Sequence, residues 1–232
     1  MSTFKNIAVI GASGGIGQAF VDLISSRYSD ATVHAFSRTV GYPINYESEA
    51  SIAKAANIAS NLGPLDLVIV TNGMLHSQGV MPEKSIKDLS REKLQKIFEV
   101  NTIVPSLILK HFLPYLNHRD KSIFAALSAR VGSISDNKLG GWYAYRSSKA
   151  ALNMIIKNAA IEMDRRNKNA IIVGLHPGTV DTPLSKPFQK NIPLERILTP
   201  HESAEKMLEV LASLTPSQSG KCFAWNGDEI LP

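Results

Sequence analysis

The sequence predicts an α/β fold in which a doubly wound sheet of seven parallel strands carries helices on both faces. Short apolar runs rich in β-branched residues alternate along the 232 residues with longer segments that have helical spacing. Parallel strands need crossover connections, and right-handed crossovers place the connecting helices on both faces of the sheet. Because a single sheet of this kind accommodates a chain of this length, we expect one domain over residues 1–232.

Five apolar runs predict buried strands, and two shorter segments complete the sheet. The five runs are Ile7–Ile10, Thr32–Phe36, Leu67–Val70, Ile123–Leu127 and Ile171–Leu175, and the two shorter strands are Pro43–Asn45 and Lys221–Trp225. The segments with helical spacing are Gly15–Tyr28, Glu47–Leu62, Ile86–Leu116, Tyr143–Arg166 and Glu202–Leu214. Residues 177–200 contain five prolines, which forbid a long helix, so a loop is predicted there.

The composition is that of an ordinary globular protein and argues against several classes of partner. Hydrophobic residues make up 44% and charged residues 19% of the chain, and its 25 Lys and Arg form no long run of like charge. We therefore expect no nucleic-acid partner, and we expect no membrane partner because no apolar segment reaches the roughly 18 residues that span a bilayer. The six histidines lack metal-ligand spacing, so no metal site is predicted. The single cysteine, Cys222, cannot form an internal disulfide and no secretory leader precedes the first strand, which predicts a cytoplasmic protein.

A glycine-rich turn follows the first strand and opens the first helix. The turn reads Gly-Ala-Ser-Gly-Gly-Ile-Gly from Gly11 to Gly17. Glycine allows positive φ in a tight turn, and its missing side chain lets a pyrophosphate approach the amides of a helix N-terminus. A flexible turn shares this composition, but its place after a buried N-terminal strand favours a dinucleotide site. The predicted cofactor contacts in the turn are Gly11, Ser13, Gly14, Gly15, Ile16 and Gly17.

The end of the second strand indicates which dinucleotide binds. An Asp or Glu there would accept hydrogen bonds from the ribose 2′-hydroxyl of NAD and repel a 2′-phosphate, but the sequence reads Ser37-Arg38. A hydroxyl donor and a guanidinium can bind a phosphate dianion, which favours NADP(H) over NAD(H). The alternative interpretation of Arg38 is a solvated surface charge.

Tyr145 and Lys149 lie four residues apart in a predicted helix, so their side chains face the same side. A nearby cation stabilises phenolate and lowers the tyrosine pKa from its usual value of about 10. Tyr145 can then donate a proton to a carbonyl oxygen or remove one from an alcohol. This spacing also occurs by chance in helices, but its place after the fifth strand puts the pair at the carboxyl edge of the sheet, where ligands bind.

The order and spacing of these motifs resemble the short-chain dehydrogenase/reductase family along nearly the whole chain. The matching segments are the glycine turn, Asn72-Gly73, Asn101, Ser128, Tyr145 with Lys149, and Pro177 to Thr182. Residues 132–134 and 140–146 are particularly similar to sniffer-type carbonyl reductases and bacterial C-factor proteins. The resemblance implies a Rossmann fold that binds NAD(P). It also implies a homodimer or homotetramer paired through the helices at Ile86–Leu116 and Tyr143–Arg166, although burial within one subunit would account for the same apolar faces.

The resemblance further implies a role for each matching residue. Tyr145 would be the general acid and base, and Lys149 would lower its pKa and hold the nicotinamide ribose. Asn101 would hold a water molecule in a proton relay. The remaining implied contacts are with the cofactor: Asn72 and Gly73 along its channel, Asn45 and Tyr46 beside the adenine, and Pro177, Gly178, Val180 and Thr182 at the nicotinamide amide.

The substrate-binding serine of the family has no single match in this chain. That serine ends the fifth strand three residues before a glycine, and counting back from Gly132 leads to Ala129. Ser128 lies one place earlier and would face the other side of the strand unless the strand end turns or bulges. Ser128, Ser133 or neither of them could therefore take this role.

Together these features predict an NADP(H)-dependent oxidoreductase that interconverts a carbonyl and an alcohol, acting as a reductase of a small ketone, aldehyde or quinone. The alternative is an NADP(H)-binding sensor or interaction protein with little turnover, and the presence of Tyr145 and Lys149 favours the enzyme. His176, beside the Pro177-Gly178 turn, is expected to be a hydrogen-bonded structural histidine rather than a substrate contact. The sequence leaves the substrate and the direction of the reaction open.

Overall fold

An eight-stranded sheet forms the centre of the computed structural model, which describes residues 4–77 and 79–232. The strands along the chain are β1 (Asn6–Ile10), β2 (Thr32–Ser37), β3 (Tyr42–Pro43), β4 (Leu67–Val70), β5 (Ser122–Leu127), β6 (Ala170–His176), β7 (Thr179–Val180), β8 (Ile197–Leu198), β9 (Cys222–Ala224) and β10 (Glu229–Ile230). The main sheet has the order β10-β9-β6-β5-β4-β1-β2-β3, and β7 pairs with β8 separately. Within the main sheet, β10 is antiparallel to β9 and the other neighbours are parallel.

Helices cover both faces of this sheet. They are α1 (Gly15–Arg27), α2 (Glu49–Ser60), α3 (Arg91–Phe98), α4 (Val104–Phe112), α5 (Tyr143–Asp164) and α6 (Pro200–Ser213), with a π-helical turn at Glu99–Ile103 joining α3 to α4. Buried side chains of α1 and α6 pack on one face of the sheet. Those of α2, α4 and α5 pack on the other face. Two apolar cores therefore lie on opposite sides of the sheet, as a doubly wound fold requires.

The predicted fold class is confirmed, and the differences lie in the connections and at one edge. β10 adds an eighth, antiparallel strand, which is too short and polar to be predicted from its sequence. The helix predicted over Ile86–Leu116 is interrupted, because the Ser90 hydroxyl caps α3 by accepting a hydrogen bond from Lys93 N at 3.2 Å. The predicted loop at 177–200 carries the two short strands β7 and β8. Over residues 4–77 and 79–232, no helix has the length and apolar character needed to cross a membrane.

The strand order opens a crevice at the carboxyl edge between β1 and β4. The chain passes from β1 to β2 on one side, and β4 pairs with β1 on the other. In sheets of this kind the connections leave in opposite directions at such a point, and ligands bind in the resulting crevice. The glycine turn follows β1 here, and its base is held by Thr71, whose hydroxyl donates to Ile10 O at 2.9 Å and to Gly11 O at 3.1 Å.

Gly17 determines how closely α1 approaches the end of β1. A Cβ added at Gly17 would lie 2.2 Å from the carbonyl oxygen of Gly11 and 2.8 Å from Thr71 Oγ1. Gly11 has a φ of +86°, a conformation that favours glycine. The glycine turn therefore keeps its shape because both positions lack a side chain.

We expect Gly17→Ala to lower the free energy of unfolding by about 2 kcal/mol, because the added methyl group must displace the Gly11 carbonyl. This loss opposes the intrinsic preference of a helix for alanine over glycine, which is worth about 1 kcal/mol. Urea denaturation followed by circular dichroism measures the change. Gln18→Ala alters the exposed side of the same helical turn and should change stability by less than about 0.5 kcal/mol. Equal stabilities of Gly17→Ala and the natural chain would contradict this account of the packing.

Candidate active site

The N-terminus of α5 is held at a defined point beside the carboxyl edge. Residues 140–142 all have positive φ, so the chain turns sharply before the helix begins. The main-chain carbonyl of Glu83 accepts a hydrogen bond from Trp142 N at 2.6 Å, and Glu83 Oε2 accepts one from Ala144 N at 3.2 Å. A carboxylate at a helix N-terminus pairs with a free N–H and complements the helix dipole. These contacts fix the first turn of α5, to which Tyr145 belongs. Glu83 was not predicted.

Tyr145 and Lys149 lie together on α5, as predicted. Lys149 is 2% exposed, its Nζ donates to Leu127 O at 2.7 Å, and the same nitrogen lies 6.0 Å from the centre of the Tyr145 ring. Burial raises the pKa of Tyr145 to about 12 and lowers the pKa of Lys149 to about 8. In the chain by itself, burial therefore outweighs the predicted lowering of the tyrosine pKa by the lysine. The phenol is held in its neutral form at neutral pH.

The π-helical turn before α4 is hydrogen-bonded to Ser148, which lies between Tyr145 and Lys149 on α5. Asn101 Nδ2 donates to Ser148 Oγ at 3.1 Å and to Met74 O at 2.8 Å, and Asn101 Oδ1 accepts from Met74 N at 2.8 Å. Thr102 Oγ1 donates to Ser148 O at 2.9 Å. The amide of Asn101 is thus occupied in joining three segments of the site. Its implied role in holding a water molecule stays a prediction.

The Asn72-Gly73 pair after β4 lies against the same residues. A Cβ added at Gly73 would lie 3.8 Å from Lys149 Nζ and 3.9 Å from Asn101 Oδ1. Asn72 Oδ1 and Tyr46 Oη are buried without a hydrogen-bond partner among the described residues. Burial raises the pKa of Tyr46, whose phenol lies near Asn72 and the backbone of Gly11. Two buried oxygens that lack a well-formed hydrogen bond among the described residues therefore lie beside the glycine turn.

The start of α1 is open to an anion. Its N-cap is Gly14, no side chain caps the free amides, and the first turn contains no acidic residue. Ser13, Gly14 and Gly15 are exposed. Because the free N–H groups and the positive end of the helix dipole point outward here, the turn can hold a diphosphate.

The structure at the end of β2 bears on the two residues predicted to bind a 2′-phosphate, Ser37 and Arg38. The hydroxyl of Ser37 donates to Val40 O at 2.6 Å and accepts from Thr39 N at 3.1 Å, so it closes a tight turn and its proton is not available to a phosphate. Arg38 is exposed and forms no ion pair with another described residue. Asn45 is also exposed, and its Oδ1 accepts a hydrogen bond from Glu47 N at 3.0 Å. Of the predicted phosphate-binding pair, the arginine alone keeps free donors.

The segment from Pro177 to Thr182 approaches the glycine turn from the other side. A Cβ added at Gly15 would lie 3.1 Å from Thr182 Cγ2. Gly178 has a φ of +79°, and the Pro177 carbonyl accepts a hydrogen bond from Ser203 on α6 at 2.7 Å. The segment is therefore anchored to α6, and it borders the crevice at which the cofactor contacts were predicted.

Ser128 does not present its hydroxyl to Tyr145. Its Oγ donates to Asn153 Oδ1 at 2.6 Å, and Asn153 lies two turns after Tyr145 on α5. The strand does not bulge at this point, because Ser128 N continues the β5–β6 ladder by donating to Leu175 O at 2.7 Å. Ser128 lines the same cavity as Tyr145, but its hydroxyl is engaged with Asn153, and its predicted role stays a prediction.

Ser133, the second candidate, is also engaged within the chain. Its Oγ lies 3.3 Å from Ser135 Oγ and accepts a hydrogen bond from Asp136 N at 3.1 Å. The residue that lines the cavity at the family's serine position is Ala129, which has no hydroxyl. Both serine hydroxyls are engaged within the chain, and the choice among Ser128, Ser133 and neither stays a prediction.

A cavity of about 500 Å³ at the carboxyl edge is lined by Tyr145 and by the loop after β6. One wall is aromatic, with the ring of Trp142 5.1 Å from Phe188 and 6.2 Å from Tyr145. His176 also lines the cavity, and burial, followed by the nearby Arg130, lowers its pKa to about 4. Its Nδ1 is buried without a partner among the described residues, which corrects the expectation of a hydrogen-bonded structural histidine. A larger groove of about 1090 Å³ lies at the opposite, amino edge, away from Tyr145.

The residues of the crevice fit a nicotinamide dinucleotide. The uncapped start of α1 suits a diphosphate, and the buried oxygens of Tyr46 and Asn72 lie beside it. A side chain at Gly11 or Gly17 would collide with Thr71 or with the turn itself, so glycine at both positions preserves the shape of the turn. Within the described residues, no group of three or more His, Cys, Asp or Glu side chains could hold a metal ion.

Known proteins are similar to this chain in both sequence and fold. A family model described as short chain dehydrogenase matches residues 5–193. The chain is 30% identical over 227 residues to 1-hydroxy-2-glutathionyl-2-methyl-3-butene dehydrogenase of Rhodococcus sp. (strain AD45), which covers 94% of this chain and 95% of the relative. It is 32% identical over 178 residues to C-signal of Myxococcus xanthus, covering 77% of this chain and 98% of the relative. The structure of NADPH-bound carbonyl reductase from chicken fatty liver aligns with a TM-score of 0.84 and 25% identity, covering 100% of this chain and 96% of the other.

These matches confirm the resemblance stated from the motifs. The family match extends over the glycine turn, Tyr145 and Lys149, and most of the loop after β6. The predicted enzyme class, an oxidoreductase, is confirmed. The matches also support a nicotinamide cofactor and a small-molecule substrate, without identifying either one. The chain is therefore an oxidoreductase that belongs to the short-chain dehydrogenase family.

Proposed function

We propose that this oxidoreductase uses NADP(H) to interconvert a carbonyl and an alcohol, and that it works as a reductase of a small ketone, aldehyde or quinone. The observation that carries the proposal is the position of Tyr145, whose ring lines the cavity at the carboxyl edge. A tyrosine with its ordinary pKa of about 10 is already protonated at neutral pH, and burial raises the pKa of Tyr145 further, to about 12. A protonated phenol is a proton donor, which suits the reduction of a carbonyl.

The chain's own residues supply the proton and the charge stabilisation for this reaction. When bound, the reduced cofactor supplies the hydride that reaches the carbonyl carbon. Tyr145 donates its proton to the carbonyl oxygen, so that the C=O group becomes an alcohol and the tyrosine becomes a phenolate. Lys149 Nζ, 6.0 Å from the centre of that ring, stabilises the phenolate electrostatically. A proton from solvent then restores the phenol.

The preference for NADP(H) rests on Arg38. Its guanidinium is exposed at the end of β2 and unpaired among the described residues, so it can bind the 2′-phosphate as a planar charged donor. No carboxylate follows β2 to repel that phosphate. A carbonyl reductase that is 25% identical to this chain was solved with NADPH bound, which supports the same choice. NAD(H) is the less favoured cofactor.

The remaining contacts of the cofactor follow from the crevice. The amides at residues 13–16 would hold the diphosphate, Lys149 the nicotinamide ribose, and Val180 with Thr182 the nicotinamide amide. Tyr46 and Asn72 would face the adenosine half, where their buried oxygens lack partners within the described chain. The rings of Trp142 and Phe188 give the cavity an apolar side next to Tyr145.

The alternative function, a cofactor-binding sensor, is not favoured, because Tyr145, Lys149 and a cavity beside them are all present.

We further propose that residues 1–232 form one cofactor-binding domain, since a single eight-stranded sheet includes both β1 and β10. We also propose a homodimer or homotetramer paired through exposed apolar side chains before α4 and on α5, namely Ile103, Met154 and Ile161. The lone buried Cys222 accords with a cytoplasmic location.

Tyr145→Phe removes the proposed proton donor and should lower kcat by about 10²- to 10⁴-fold. The affinity for NADPH should stay unchanged within about twofold, because the phenylalanine ring keeps the packing of α5. Loss of NADPH absorbance across a panel of ketones, aldehydes and quinones measures turnover, and NADPH fluorescence measures binding. Tyr28→Phe removes a phenol at the C-terminal end of α1, away from the site, and serves as the control. Near-normal turnover by Tyr145→Phe would show that another group is the acid. Tight NADPH binding by the natural chain with no turnover on the panel would favour the sensor.

Arg38→Ala should raise the Kd for NADPH by about 10- to 100-fold, since a charge-assisted hydrogen bond is worth roughly 1.5–3 kcal/mol. The Kd for NADH should change by less than about twofold, because NADH carries no 2′-phosphate. Isothermal titration of both cofactors into both proteins makes the comparison. Arg119→Ala removes the same charge at the amino edge and should leave both Kd values unchanged. An equal effect of Arg38→Ala on NADPH and NADH would contradict the assignment.

A further inference from the structure

Reduction of a carbonyl places negative charge on the substrate oxygen, and donors held toward that oxygen stabilise the charge. Tyr145 supplies one donor in the proposed function, on which this inference rests. The second donor expected from the family, a serine hydroxyl, is missing, because Ala129 lines the cavity at that position. Ser128 lines the same cavity, but its hydroxyl is donated to Asn153. A second donor at the same edge of the cavity would therefore have to come from another residue.

His176 lies beside the position of the missing hydroxyl. It is the last residue of β6, and the preceding residue, Leu175, pairs in register with Leu127 on β5. Ser128 N donates to Leu175 O at 2.7 Å, so the two strand ends remain joined where Ala129 leaves the sheet. His176 and Ala129 thus occupy neighbouring strand ends, and both line the cavity that Tyr145 lines.

The imidazole of His176 has no partner within the described chain. Its Nδ1 is buried and makes no hydrogen bond, and no hydrogen bond of its ring to another described residue is present. Buried polar atoms in folded proteins are nearly always paired, and an unpaired one costs about 1–3 kcal/mol. Nδ1 is inaccessible from the cavity, so the ring nitrogen that can meet a ligand there is Nε2.

We propose that His176 donates a hydrogen bond to the carbonyl oxygen of the substrate, in the place of the serine that position 129 lacks. The imidazole and the Tyr145 phenol would then flank the same oxygen as it takes up negative charge. His176 donates without giving up its proton, and the proton that forms the alcohol comes from Tyr145.

The electrostatics of the site suit this role. Burial lowers the pKa of His176 to about 4, and the guanidinium of Arg130 lowers it further by opposing a second positive charge. At neutral pH the ring is therefore neutral, with one nitrogen that donates and one that accepts. A neutral imidazole polarises a carbonyl without the cost of a buried cation, and such an arrangement is known among enzymes that act on carbonyl compounds.

The first test measures turnover in variants of His176. His176→Phe should lower kcat by about 10²- to 10³-fold, as removal of one such donor does. Its Kd for NADPH should change by less than about twofold, because the ring shape is kept. His176→Gln keeps a side-chain N–H and should lose less than about tenfold. His118→Phe, which removes an exposed imidazole at the amino edge, is the matched control and should retain normal turnover.

The decisive variant is His176→Phe combined with Ala129→Ser. A hydroxyl at position 129 should recover kcat by about tenfold or more over His176→Phe alone, because it restores a donor at the neighbouring strand end. A histidine that served only to hold the fold would not be rescued in this way. Normal kcat in His176→Phe, or equal losses in His176→Phe and the double variant, would overturn the proposal.

A second test does not depend on turnover. The chain labelled with ¹⁵N-histidine is titrated with 2,2,2-trifluoroethanol in the presence of NADP⁺, and the resonances of His176 are identified by their absence in His176→Phe. We expect a ring nitrogen of His176 to shift when the alcohol oxygen binds, and no shift in the resonances of His118. An unchanged His176 spectrum at saturating alcohol would overturn the inference. If the natural chain fails to reduce any carbonyl while the shift is observed, the proposed reaction fails and the oxygen-binding role of His176 stands.

Discussion

The hydrogen bond from Lys149 Nζ to the carbonyl of Leu127 holds α5 to the carboxyl end of β5, and the rest of the site depends on it. The bond is 2.7 Å long and buried, so the ammonium has exchanged water for a protein partner in a place where an unpaired charge would be costly. The close approach is possible because residue 132 is glycine, where an added Cβ would lie 2.9 Å from Lys149 Cβ. With Lys149 in place, Tyr145 one turn earlier is directed toward the cavity.

A consequence of this burial is that the donors of the cavity are neutral. Burial raises the pKa of Tyr145 to about 12 and lowers that of His176 to about 4, so both side chains are uncharged over the physiological range. Neutral N–H and O–H groups can surround a carbonyl without repelling one another or requiring counter-ions. They interact most strongly when the oxygen becomes negative, which is the condition for stabilising a transition state more than a substrate. In the proposed reaction, Lys149 is the cation that balances the phenolate.

The site could be predicted where its chemistry is encoded by residues that are close in sequence. The turn from Gly11 to Gly17 and the spacing of Tyr145 and Lys149 are local patterns, and local geometry determines what they form. Glu83 could not be found in this way, because its carboxylate pairs with Ala144 N, 61 residues further along the chain. The error on Ser37 has another cause. Its hydroxyl could equally serve a ligand or a local turn, and the turn uses it.

By itself the sequence determined the order of the main strands and helices, the family, and the placing of Tyr145 and Lys149 on one helix, because hydrophobic periodicity and short motifs act over a few neighbouring residues. The tertiary structure alone decided which polar groups are free. Ser128 is occupied by Asn153 from α5, whereas His176 is left unpaired at the end of β6. The physical reason is that a hydrogen bond uses up a donor, and whether a donor is used depends on which distant segment the fold places within about 3 Å of it.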